Sequence, residues 1–366
     1  MISEEQQELV TAVRGLLAKR DARAGIRKAM DTELGYDPRL WAQLCEQVGV
    51  AALAIPEEFG GFGAGLAESL LVVGEIGRTL ADVPMLGSAV LGVQAVLLSG
   101  DVEACARLLP GVAEGRSTLA VCWASARGWD DFGVRADGES RDGTAHYVRD
   151  GTAHYVLDGT AHYVLDGTAA DTLIVVTESG LFEVDPAAAG VERRRVAAMD
   201  PSRGLSEISF TAVPARRLGD ADPGPIIEQL HRIAWAAVAA EQVGAAEYCL
   251  EATVEYTKSR VQFGRAIGSF QALKHRMADM YVLAESAKSA SLAATFAVAG
   301  NTASAAEDVW VARRQCSESF SAIAAETVQL HGGIAITWEH DAHLYFKRAH
   351  GDAELFGVPR RPLVDH

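Results

Sequence analysis

A block of short β-type runs lies between two blocks of helical pattern, and this order constrains the fold more than any other feature. Leu119-Ala-Val-Cys-Trp123, Thr172-Leu-Ile-Val-Val-Thr177 and Glu207-Ile-Ser-Phe-Thr211 are bounded by Gly, Asp and Pro, the pattern of buried strands. A barrel or a sandwich is the natural way to bury them. Before them, Leu40 to Val48 and Leu66 to Ala81 carry apolar residues at helical spacing. They are separated by the Pro- and Gly-rich stretch from Ile55 to Gly65. After them, the Ala-rich patterns from Ile226 to Arg260, Gln271 to Ala299 and Ala303 to Leu330 suggest an antiparallel four-helix bundle. The expected fold is α+β and multidomain: a helical domain (1–116), a middle β-barrel or sandwich domain (117–222) and a C-terminal four-helix bundle (223–366).

The charge narrows the partners. A net charge of −16 argues against nucleic acid and against anionic membrane surfaces. No apolar run has the length of a membrane span, since Glu241 and Glu247 interrupt the best candidate. The N-terminus has neither the basic nor the apolar region of a secretory signal. Five scattered cysteines without CxxC spacing favour reduced, structural thiols and a cytoplasmic protein.

The middle zone contains an eight-residue repeat within 143–169. Gly-Thr-Ala-His-Tyr-Val recurs at Gly143, Gly151 and Gly159, with Asp-Gly between copies. Each Asp-Gly is a hairpin-type turn signal and each Ala-His-Tyr-Val a possible strand. A histidine ladder for metal is one reading and tandem expansion of one hairpin the other; three units are too few for a solenoid. Gly61-Phe-Gly63-Ala-Gly65 does not have dinucleotide-binding spacing. His340, His343 and His350 have metal-compatible spacing, but equally form a polar helix face, and no metal is expected.

The run Arg260-Val-Gln262-Phe263-Gly264-Arg-Ala-Ile267-Gly-Ser-Phe270-Gln271 joins two of the long helical patterns. A guanidinium beside planar amides suits a flat, phosphate-bearing cofactor. The other reading is a charged helix–helix corner with two buried rings.

Three segments together resemble the acyl-CoA dehydrogenase family over nearly the whole chain. They are Ile55-Pro-Glu-Glu-Phe-Gly-Gly-Phe-Gly63, the hairpin from Leu157 to Asp171, and Arg260-x-Gln-Phe-Gly with Phe270-Gln271 and Gln329-Leu-His-Gly332-Gly333-Ile-Ala-Ile-Thr337-Trp-Glu339. The resemblance implies FAD and the removal of hydrogens from Cα and Cβ of an acyl-CoA. A carboxylate base takes the α proton, and flavin N5 accepts the β hydride. It also implies electron-transfer flavoprotein as the acceptor and cofactor sites divided between subunits, the β domain of one holding the flavin ring and the bundle of its neighbour the pyrophosphate and adenosine. In that scheme Arg260 pairs with the pyrophosphate, and Phe263 and Ile267 pack on the cofactor. Gln262, Gln271 and Gln329 supply polar bonds, and Gly332 and Gly333 let backbone approach.

The departures from the family fall on the other half of that site. Where the family has Thr-Glu for the flavin ring, this chain has Trp123-Ala124, in the segment from Trp123 to Asp130. Beside flavin N5 it has Tyr163-Val164-Leu165, and leucine offers no hydrogen bond in place of threonine. The two usual places of the family's glutamate base hold Phe356, before Gly357, and Ala234. Glu241, two turns beyond Ala234, is the fallback base and His231 a weaker one; Asp352 and Glu354 lie near the other base position. The catalytic residue is therefore unassigned. The expected role is the non-catalytic subunit of a heteromeric (α2β2), actinobacterial-type acyl-CoA dehydrogenase, with a homologous subunit as partner and acyl-CoA, including steroid side-chain esters, as substrate. The alternatives are a self-sufficient enzyme with Glu241 as displaced base, a flavin-free scaffold, or a flavin monooxygenase on the same fold.

Overall fold

The computed structural model describes residues 2–19, 22–30, 32, 34–137 and 155–358, the side chains of 22–24 excepted. Helices come first: α1 (Glu4–Lys19), α2 (Ala22–Met30), α3 (Pro38–Gln47), α4 (Leu66–Thr79), α5 (Val93–Leu98) and α6 (Val102–Ala113). Local chemistry sets several of their starts. Asp37 Oδ1 accepts from Arg39 N at 2.9 Å ahead of α3, with Pro38 as its first residue, and Asp101 Oδ1 accepts from Ala104 N at 2.8 Å ahead of α6. Both carboxylates satisfy backbone donors that the helix leaves open.

The strands follow: β1 (Leu119–Cys122), β2 (Ala124–Ser125), β3 (Gly128–Phe132), β4 (Val134–Asp137), β5 (Tyr155–Leu165), β6 (Thr172–Thr177), β7 (Gly180–Val184), β8 (Val191–Arg195) and β9 (Leu205–Leu218). The main sheet has the order β1-β6-β7-β9-β5-β4, with β8 also on β9. It curls about β9, whose last residues pair with β7 while the rest pairs with β5 and β8. Alternation along the strands divides two cores. Leu119, Ile174 and Val176 pack with α5 and α6. Ala120, Cys122, Leu173 and Val175 fill the inside of the curl with Phe182, Ile208 and Phe210.

The last block is α7 (Pro223–Ser259), a short hairpin of β10 (Val261–Gln262) and β11 (Arg265–Ala266), α8 (Gln271–Ala299), α9 (Ala305–His331) and α10 (Ala342–Glu354). The chain divides into two compact units. One comprises 27–69 and 82–233; the other comprises 70–81, the residues before 27 and those from 234 onward. In the second unit α4 and α7 meet backbone to backbone: a Cβ on Gly244 would stand 1.8 Å from Gly74 O. All five cysteines are buried free thiols, and burial pushes Cys45 up to about 12. No helix among the described residues is long and apolar enough to cross a membrane.

The repeat behaves differently from the expectation where it is described; its copies before Tyr155 lie outside the described residues. Asp158-Gly159 does not turn. It lies inside β5, at a shift of register between Leu157 and Gly159. Gly159 has φ +132° and lies so close to β4 that a Cβ would stand 2.3 Å from Gly133 O. Asp158 Oδ1 instead accepts from Ala212 N at 2.9 Å on β9. The next Asp-Gly does turn, with Asp166 O accepting from Ala169 N and Ala170 N. The turn signal is local, and strand pairing overrides it at one copy and spares it at the next.

Candidate cofactor site

The bundle end gathers the residues expected to grip a cofactor. Arg260 follows the last turn of α7, its N–H donating to Tyr256 O at 2.9 Å. Gln262 pairs with Arg265 across β10 and β11, so Phe263-Gly264 is a two-residue turn. Both turn residues have positive φ, +53° and +78°, as this type of hairpin requires. Phenylalanine is a strained choice there, and its ring is 93% exposed. The alternative reading of this run as a helix–helix corner with two buried rings does not hold for Phe263. Phe263 projects outward and meets Phe270 edge-on at 6.2 Å, while the Arg265 guanidinium lies 4.0 Å from the Phe270 centroid. Ile267 N donates to Arg260 O at 2.8 Å, and Gln271 opens α8 with its side chain exposed.

The second segment reaches the same place from α9. Gln329 is exposed on its last turn. Gly332 ends the helix at φ +67°, ψ −147°, a conformation essentially reserved for glycine. Cβ atoms added at Gly332 or Gly333 would meet nothing within 4 Å, so this backbone is open to a ligand. Two residues missed from the sequence join the segments. Tyr256 stacks on His331 with centroids 4.3 Å apart, and its hydroxyl donates to His331 O at 3.2 Å. His331 Nδ1–H donates to Thr327 O at 2.7 Å, and burial lowers its pKa. Their signal was positional: Tyr256 lies one turn before Arg260, and His331 directly precedes Gly332. Ile336 and Trp338 are also exposed here. With its cation, exposed amides and open glycine backbone, this end fits the pyrophosphate side of FAD.

The β half does not fit in the same way. Trp123 is 2% exposed and lies 4.2 Å from the His231 ring and 5.9 Å, edge-on, from Trp129. Trp129 in turn lies 5.9 Å from Tyr163. Leu165 is buried. Burial pushes His231 down to about 4, against the opposing charge of Asp130, so it is a neutral ring near pH 7. The segments from Trp123 to Asp130 and from Tyr163 to Leu165 meet through the Trp129–Tyr163 contact.

The base positions hold no acid. Ala234 is buried, and Phe356 is buried at φ +61°. The Phe356 carbonyl accepts from Trp235 Nε1 at 2.9 Å. Arg313 fixes the same turn, with Nη2 donating to Asp352 O, Ala353 O and Leu355 O at 2.7, 2.9 and 3.0 Å. Glu241, the fallback base of the sequence reading, has its carboxylate buried in an ion pair with Arg348. A Cβ on Gly77 would stand 2.2 Å from Glu241 O, so α4 closes over it. His343 packs edge-on against Trp338 at 5.0 Å, and His350 Nδ1–H donates to Phe346 O. No group of three or more metal-binding side chains occurs among the described residues.

Residues 3–116 match the family profile described as "Acyl-CoA dehydrogenase, N-terminal domain" and residues 228–358 that described as "Acyl-CoA dehydrogenase, C-terminal domain". The chain is 42% identical to the Mycobacterium tuberculosis protein described as acyl-CoA dehydrogenase IpdE2, over 98% of this chain and 95% of that one. Among solved structures, a variant of the "Tcur3481-Tcur3483 steroid ACAD" superposes with a TM-score of 0.85 at 28% identity, covering 98% of this chain and 95% of that one. The ChsE4-ChsE5 complex from Mycobacterium tuberculosis does so with a TM-score of 0.85 at 27% identity, with the same coverage.

Proposed function

The chain belongs to the acyl-CoA dehydrogenase family, and within it we propose that this chain is the non-catalytic subunit of a heteromer whose partner is a homologous acyl-CoA dehydrogenase subunit. The observation that carries this reading is the one-sidedness of the site. The bundle end presents Arg260, Gln262, Phe263, Gln271, Gln329, Gly332 and Gly333 to the outside. The β half is filled with its own rings, and Ala234 and Phe356 stand where a carboxylate is needed. In this reading Arg260 bonds phosphate oxygens of FAD whose ring lies in the partner, and Ile267 and Phe263 pack on the cofactor's body. FAD supplies the hydride acceptor when bound; the base comes from the partner.

The substrate is an acyl-CoA thioester. We assign it to the steroid-derived class because a solved relative is named a steroid enzyme, and the two-protein composition of that relative and of the ChsE4-ChsE5 complex supports a heteromer. Electron-transfer flavoprotein is the acceptor in this reading, and the free thiols fit the cytoplasm. The test is purification of the chain alone and with a candidate homologous subunit. The expected result is a colourless, inactive chain alone, and about one FAD per two unlike chains in an active complex, by analogy with cofactor sites divided between subunits. A yellow, active protein formed by this chain alone overturns the proposal, and a complex that never gains a flavin band favours a flavin-free scaffold.

A further inference from the structure

We infer that Trp123 and Leu165 are the residues that exclude a flavin ring from this chain's own β domain; this rests on the heteromer reading above. The rings are packed on one another, Trp123 edge-on to Trp129 and tilted against His231, and Trp129 tilted against Tyr163. Slipping a planar ring between two others requires them to stand about 7 Å apart, two stacking gaps of about 3.5 Å. The centroid spacings along the set are 4.2 Å for Trp123–His231, 5.9 Å for Trp123–Trp129 and 5.9 Å for Trp129–Tyr163, so each ring already touches the next. Trp123 is anchored from several sides. It belongs to the buried cluster with Leu119, Ile226 and Leu230, and its carbonyl accepts from Gly133 N at 3.1 Å. Opening the seat therefore means pulling a large ring out of a packed core, which a cofactor does not do by side-chain rotation alone.

Leu165 closes the matter chemically. It ends β5, is 6% exposed, and offers neither donor nor acceptor to a polar ring edge. The backbone cannot retreat to make room. A Cβ on Gly87 would stand 3.0 Å from Leu165 Cβ, so the chain behind this position is already in contact. Volume at Trp123 and missing polarity at Leu165 thus act on the same ligand, one through space and the other through an unmade hydrogen bond.

The test uses the complex with its homologous subunit and reads FAD per complex from the absorbance of released flavin. Wild-type complex is expected to hold one FAD per pair of unlike chains even at saturating added FAD. Trp123→Thr/Leu165→Thr is expected to raise this toward two, while Trp123→Phe, which keeps an aromatic ring in the set, leaves it at one. If threonine at 123 prevents folding, Trp123→Val/Leu165→Thr keeps an apolar group in the core and serves the same comparison. A second equivalent bound by wild type overturns the inference and, with it, the reading of this chain as the subunit that holds no flavin of its own. One equivalent in both wild type and the folded double variant overturns the inference alone.

Discussion

Arg348 Nη1 donates to Glu241 Oε1 at 2.8 Å, and both residues are only 3% exposed. The pair joins α10 to α7 in the interior of the bundle. A buried ion pair contributes little net stability, but removing one partner leaves a charge where it cannot be hydrated. Glu241→Ala is expected to lower unfolding free energy by about 3–5 kcal/mol, read from urea midpoints. Glu241→Leu/Arg348→Met is expected to recover most of it, and, in the proposed reading where the base comes from the partner, its complex should still dehydrogenate acyl-CoA.

Arg260 is exposed at the end of α7. Arg260→Ala in the complex is expected to weaken FAD binding by about 1.5–3 kcal/mol, the range for a hydrogen bond to a charged group. That corresponds to roughly 10- to 150-fold in Kd, measured by flavin release on dilution. Arg260→Lys keeps the charge but not the two-pronged geometry, so it should restore only part of the affinity.

Gly332→Ala isolates backbone conformation from space. A Cβ there meets nothing within 4 Å, yet the backbone sits at φ +67°, ψ −147°. The expected cost is about 1–3 kcal/mol of strain, with FAD affinity falling if the loop relaxes to a new path. Thermal melts and flavin titration of one preparation separate the two effects. Gly333→Ala, with equal room and no positive φ, is the control and should melt near wild type.

Two groups give opposite pH dependences. Burial lowers His231 to about 4, so its neutral-state stability is complete above pH 6.5, its ordinary value, and is lost as pH falls toward 4. Burial raises Asp166 to about 6, partly opposed by Arg203, so its contribution is complete below the ordinary carboxylate range and is lost as pH rises through 6. The two slopes offset between about pH 4 and 6. Relative to wild type, His231→Phe should therefore gain stability on acidification over this window, and Asp166→Asn should lose it. Denaturant midpoints at half-unit pH steps check both signs.

Some of this was readable along the chain. The strand at Thr172–Thr177 and the helix from Gln271 to Ala299 appear where a short apolar β-type run bounded by turn residues and 3.6-residue periodicity place them, because both patterns report which residues are buried. Arg260 and Gly332 stood out because cations, hairpin glycines and helix ends are local signals. The Asp-Gly at Asp158 was misleading because a turn signal does not reveal that a neighbouring strand presses on its glycine.

The sequence alone determined the order of helical, β and helical blocks, the family resemblance, and the absence of an acid at Ala234 and Phe356. Only the tertiary structure decided that Glu241 pairs with Arg348, that Tyr256 ties its helix end to His331, and that Trp123 packs against His231. Periodicity and turn chemistry act over a few residues and are written in them. Which buried side chain meets which depends on packing between segments far apart in the chain, and that decides whether a charge is a base or a strut and whether a ring lines a site or fills it.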